Sequence, residues 1–115
     1  VLDAEALQRL RELDPRGDNR LIERVAKAFE TSVGRLLPQL EEAFKMHDQA
    51  AITHVAHTLK SSSASIGALK LSQMCAEIEN MIRRQTGEDL SSRIREIPQE
   101  AHRVLECLSA LLETP

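Results

Sequence analysis

The sequence predicts an all-α protein, an antiparallel up-and-down four-helix bundle with an additional short N-terminal helix. Three observations carry this. Apolar residues recur at intervals of three and four along nearly the whole chain, the period of a helix face, and no stretch alternates as a strand does. The breaks between these stretches are short and built from Pro, Gly and Asp. The core must also be aliphatic, because aromatics make up only 2% of the 115 residues, as Phe29 and Phe44. A chain of this length is expected to form one domain spanning residues 1–115.

Taken in order, Asp3 is placed to cap a short first helix with Ala6, Leu7, Leu10 and Leu13 on one face. Asp14-Pro15-Arg16-Gly17-Asp18 then breaks the pattern. A second segment starts near Asn19, with Leu21, Ile22, Val25, Ala28 and Phe29 facing inward. Thr31, Ser32 and Gly34 suggest a kink or boundary before a third stretch carrying Val33, Leu36, Leu37, Leu40, Ala43, Phe44 and Met46. Pro38 fits either the first turn of a new helix or a bend in a continuous one. Asp48 is placed to cap the next helix, which runs to about Ile66 and stops at Gly67. Leu69, Leu71, Met74, Cys75, Ile78, Met81 and Ile82 define the following helix, ended by Gly87. The last starts near Asp89, runs through Leu90, Ile94, Ile97, Val104, Leu105, Leu108 and Leu112, and is expected to be interrupted at Pro98. The first short helix is expected to lie as a lid at one end of the bundle.

Composition removes several function classes. The net charge is -3, unsuited to a surface that neutralises nucleic-acid phosphates. The dearth of aromatics argues against a base-stacking platform. No apolar run reaches the ~20 residues of a membrane span, so no membrane partner is expected. The acidic start, Val1-Leu2-Asp3-Ala4-Glu5, is not a secretory leader. Without an initiator Met, the chain reads as processed, trimmed or cut from something longer. Cys75 and Cys107 fall at apolar-stripe positions and read as small buried hydrophobes kept reduced in the cytoplasm. The four glycines, Gly17, Gly34, Gly67 and Gly87, are too scattered to cradle a nucleotide. No metal or other cofactor is expected: His54 and His57 are three apart, and no Glu-x-x-His pair accompanies them.

The residues that carry chemistry lie between Ala56 and Ala68. Ile52, Val55, Ala56, Leu59, Ser63 and Ile66 form one buried stripe. His57, Lys60, Ser61 and Ala64 form a second, rotated by about 100°. His57 therefore sits beside the core with a cation one turn away and little bulk around it. Neutral imidazole is a nucleophile at cytoplasmic pH, since its ordinary pKa is ~6.5. A phosphorylated ring nitrogen keeps a high transfer potential, and the Lys60 ammonium is placed to offset an arriving dianion. Small neighbours let another protein's active site reach the ring. Ser61, Ser62 and Ser63 near His57 also imitate part of a hydrolase site, but neighbours on one helix rarely reach that geometry.

The segment Ala56-His57-Thr58-Leu59-Lys60-Ser61-Ser62-Ser63, closed by Gly67-Ala68, resembles the signature of histidine-containing phosphotransfer (HPt) domains. The resemblance implies a four-helix bundle that acts as a phosphoryl carrier rather than an autonomous enzyme. His57 would be phosphorylated and Lys60 would be the stabilising cation. The partners it implies are receiver domains of response regulators or hybrid histidine kinases. One would hand over an aspartyl phosphate, with Mg²⁺ held by the receiver, and another would accept it. Ser61 stands where the family usually has Gly, four residues after the histidine. Ser61 and Ala64 would keep access to the ring open. Arg83 and Arg84 read either as docking and phosphate-neutralising groups or as cations complementing a helix C-terminus.

Two other readings fit the bundle. A histidine kinase dimerisation domain also presents a helical histidine, but it typically has an acidic residue just after the His and a Pro soon after; here Thr58 and Ser61–Ser63 stand instead. It would also be a dimer, whereas this chain has helices enough for its own bundle and is expected to be a monomer. A helical adaptor without phosphoryl chemistry is the other, since fold alone does not fix function.

Overall fold

Five α-helices follow one another, with no strand among the described residues: α1 (Ala4–Leu13), α2 (Leu21–Lys45), α3 (Gln49–Ser65), α4 (Leu69–Arg84) and α5 (Leu90–Glu113). The computed structural model describes residues 2–17, 20–84 and 90–113, with the backbone alone for 111–113. The expected helix starts at Asn19 and Asp89, the break at Gly87, the contribution of Asp18 and the side chain of Leu112 lie outside the described residues.

Asp3 caps α1 as its position requires, its Oδ2 accepting the Ala6 N–H at 3.1 Å. The residue that closes α1 also opens α2: Asp14 Oδ2 accepts the Leu21 N–H at 3.1 Å. This serves one of the donors that a helix start leaves unpaired. Arg20, just before α2, is left-handed (φ 49°) and supplies no side-chain cap.

α2 is one unbroken helix of 25 residues, so Pro38 is an interior residue and not a first-turn one. The carbonyl that its ring deprives of a donor belongs to Gly34, and both residues are exposed, where water can serve that carbonyl. The buried positions are Ala26, Phe29, Val33, Leu36, Leu40 and Ala43, in steps of three and four. Ala28, expected to face inward, is exposed; Ala26, three residues before Phe29, takes its place. Met46 lies past the helix end and is 68% exposed, and Leu13, at the last turn of α1, is 74% exposed. His47 turns left-handed (φ 54°) and ends the run, and Asp48 Oδ1 then caps α3 through the Ala51 N–H at 3.1 Å.

The expected stripe of α3 is buried without exception: Ile52, Val55, Ala56, Leu59 and Ser63, followed by Ile66. Leu71, Cys75 and Ile78 of α4 close on it, and Ile94, Ile97, Ala101, Val104 and Leu108 of α5 complete one continuous core with α2. α5 passes through Pro98 without the expected interruption. Pro98 is exposed, while Ile97 and Ala101 beside it are buried, so packing holds the helix across the missing bond. Cys75 is buried and Cys107 half-buried, both as free thiols.

Within the bundle each of α2 to α5 packs against two of the other three, and the α3–α4 pairing is the most extensive. α1 packs against α2. Its start is also fastened to the α3–α4 turn, where the Asp3 N–H donates to the Gly67 carbonyl at 2.7 Å. Gly67 has φ +79°, and a Cβ there would meet Ala6 Cβ at 2.9 Å and the Asp3 backbone at 3.1 Å. Among the described residues no helix is long and apolar enough to cross a membrane, and no cluster of His, Cys, Asp and Glu is arranged to hold a metal ion.

Candidate functional site

The 3.6-residue period puts His57 at the middle of α3 with its back against the core, between buried Ala56 and Leu59. Its side chain is 65% exposed. The neighbour that matters comes from α4. Glu79 Oε2 lies 3.6 Å from His57 Nδ1, and Glu79 Oε1 lies 3.1 Å from Lys60 Nζ. Oε1 is sealed from solvent and accepts no well-aligned hydrogen bond, so Lys60 is held to it by charge. Lys60 (32% exposed) and Glu79 (18%) are thus drawn in beneath a ring that remains open to solvent.

Glu79 is the member of this cluster that sequence reasoning missed. Its signal was present: the chain folds back at Gly67, ten residues after His57 and twelve before Glu79. Two antiparallel helices joined there bring positions 57 and 79 to the same level. What the sequence lacks is the roll of α4 about its own axis, which decides whether Glu79 faces α3. Part of that roll is fixed by Ser72, whose hydroxyl donates to the Lys60 carbonyl at 3.1 Å.

The expected site residues fall into two groups. His57 and Lys60 are joined through Glu79, and Ser61 and Ala64 are exposed on the same side of α3. The Ser61 carbonyl accepts from the Ser65 hydroxyl at 3.0 Å, and among the described residues no hydrogen bond links the Ser61 hydroxyl to the ring. Ser62 is half-buried and Ser63 fully buried, which allows close helix approach. Arg83 and Arg84 lie exposed in the last turn of α4. Arg83 donates to Asn80 Oδ1, and no hydrogen bond or ion pair among the described residues joins either arginine to His57. His102 pairs with Glu106 at 2.9 Å on α5, and His47 and His54 are exposed.

Cys75, one turn before Glu79, is chemically quiet. Burial pushes its thiol up to about 12, the Glu79 charge adds to the rise, and Lys60 opposes it. The ring has the opposite character. A carboxylate facing Nδ1 favours the tautomer with its proton there, which leaves the Nε2 lone pair for a reagent arriving from solvent. The arrangement offers an exposed nucleophile, a cation within one turn and an anion behind the ring.

The Hpt domain family model matches residues 24–114, and the chain belongs to that family. It is a histidine phosphotransfer domain of the phosphorelay type, a phosphocarrier rather than an enzyme in its own right. Among solved structures it is similar to histidine-containing phosphotransfer protein B (HptB) from Pseudomonas aeruginosa PAO1. The TM-score is 0.77 and the identity 26%, over 95% of this chain and 91% of that one. No curated protein sequence matches the chain.

Proposed function

We propose that His57 is the phosphoryl-carrying residue and that it exchanges the group with aspartyl-phosphate receiver domains, taking it from one and passing it to another. The observation that carries this is the exposed ring with Nδ1 turned to Glu79, inside the Ala56–Ala68 segment of a family that transfers phosphoryl groups on histidine. Nε2 attacks in line, while the receiver contributes its bound Mg²⁺ and most of the transition-state stabilisation. Lys60 pairs with the phosphoryl oxygens once they arrive. Ser61 and Ala64 leave room for the receiver's active site, and Arg83 and Arg84 lie on the flank of α4 where an acidic receiver surface would rest. The domain works as a cytoplasmic monomer.

The test is direct. The protein is incubated with a phosphorylated receiver and Mg²⁺, and label that is acid-labile and base-stable is counted. His57→Gln is expected to fold normally and take up none. Label persisting on that variant would remove His57 from the role.

A further inference from the structure

The ring of His57 is bracketed on α3. At about 100° per residue, Lys60 stands about 60° round the helix from His57 on one side, and Ser61 about 40° on the other. The Lys60 side is the α4 side: its Nζ lies 3.1 Å from Glu79 Oε1, and its carbonyl accepts from the Ser72 hydroxyl at 3.1 Å. Ser61 lies on the flank turned away from α4 and is exposed. His57 and Ser61 are one turn apart, which puts roughly 5–6 Å between their Cβ atoms. Side chains on a helix tilt towards its N-terminus, so Ser61 leans back over the turn that carries His57.

The other hydroxyls of this region are committed or turned inward. Thr58 donates to the His54 carbonyl at 3.0 Å, Ser65 to the Ser61 carbonyl at 3.0 Å and Ser72 to the Lys60 carbonyl. Ser62 is half-buried and Ser63 buried. Among the described residues, no hydrogen bond involves the Ser61 hydroxyl. Its donor is free for a group that arrives on the open side of the ring.

We propose that Ser61 is a phosphoryl-binding residue: its hydroxyl donates to a phosphoryl oxygen of phosphorylated His57 and so shifts the transfer equilibrium towards this domain. This rests on His57 being the phosphoryl acceptor. In the transfer the Nε2–P bond forms as the P–O bond to the receiver's aspartate breaks, and the bonding pair leaves with the aspartate carboxylate. The Ser61 hydroxyl keeps its proton and forms no bond to phosphorus. It exchanges water for an anionic acceptor, which makes the stronger kind of hydrogen bond. Lys60 meets the phosphoryl group from the α4 side and Ser61 from the other. The Gly usual at this position in the family carries no such donor.

A donor and an obstacle leave different traces. Bulk at position 61 hinders the receiver equally in both directions, so it slows acceptance and donation together and cancels from the equilibrium constant. A hydrogen bond made only in the phosphorylated domain changes that constant. Ser61→Ala removes the hydroxyl and keeps the Cβ, and Ser61→Gly removes both. Ser61 is exposed and Ala is the stronger helix former, so the alanine variant keeps its fold.

A receiver domain phosphorylated with acetyl phosphate and freed of excess reagent is mixed with wild-type domain or either variant in Mg²⁺. The distribution of label is then followed to equilibrium from both directions. The equilibrium constant for acceptance is expected to fall about fivefold in Ser61→Ala, the scale of one solvent-accessible hydrogen bond, and by the same factor in Ser61→Gly. An equilibrium constant in Ser61→Ala that matches or exceeds the wild-type value overturns the proposal, whatever the rates do. Failure of the underlying reading looks different: wild type without label, or label on His57→Gln, rejects His57, while labelled His57 with an equilibrium indifferent to the hydroxyl rejects Ser61 alone.

Discussion

Gly67 answers two demands that no other residue meets together. Its φ of +79° lies where a side chain is strained, and the space that a Cβ would fill is taken by Ala6 Cβ at 2.9 Å and the Asp3 backbone. Gly67→Ala is therefore expected to destabilise the protein by about 1–3 kcal/mol, read as a lower urea midpoint at unchanged slope. The sequence reveals the first demand, because a glycine after an amphipathic run reads as a helix stop. The second, a seat for α1, depends on a contact across sixty residues of chain. The same division runs through the site. The exposure of His57 and the company of Lys60 are properties of one helix and follow from its period. Glu79 belongs to another helix, and only the packed pair shows that it faces them.

At the scale of the helix, local punctuation proved weaker than packing. Thr31, Ser32, Gly34 and Pro38 read together as a boundary, yet α2 continues through them because Phe29, Val33, Leu36 and Leu40 keep one buried face. Pro98 is overridden in the same way by Ile94, Ile97 and Ala101. Helical stability in proteins comes mainly from such a face rather than from propensity. Gly34 retains its conformational cost without a packing reason: nothing lies within 4 Å of a Cβ built there. Gly34→Ala is expected to stabilise the protein by about 0.5–1 kcal/mol, seen as a rise in thermal midpoint with phosphoryl uptake unchanged.

The molecule is a rod of 49 × 22 × 19 Å whose α2–α5 core is closed within a single chain. The apolar residues that a second copy would have to supply to a kinase-type bundle are already supplied by α2 and α5. Light scattering is therefore expected to return 12.9 kDa, the mass of one chain. A stable mass of twice that value would restore the dimerisation-domain reading. The bundle and its helix order were legible because four amphipathic runs joined by short turns admit few arrangements. The seam between α4 and α5 was not. It carries Glu100, only 2% exposed, between Arg103 at 3.2 Å and Lys70 at 3.9 Å, with Arg93 and Glu77 paired at 3.3 Å nearby. In the sequence Glu100 is one acidic residue among many.

The hydrogen bond from Ser72 to the Lys60 carbonyl has a consequence of phase. Two helices in contact retain freedom to slide and roll, and a one-residue slip of α4 would swing its side chains by about 100°. Seven residues, close to two full turns, separate Ser72 from Glu79, so both return to the same side of α4. Once the hydroxyl is latched to the α3 backbone, the azimuth of the carboxylate is set as well. The electrostatic setting of the histidine is thus dialled in by a hydroxyl that never touches it, as a gear tooth at one point of a shaft fixes the angle of a cam further along.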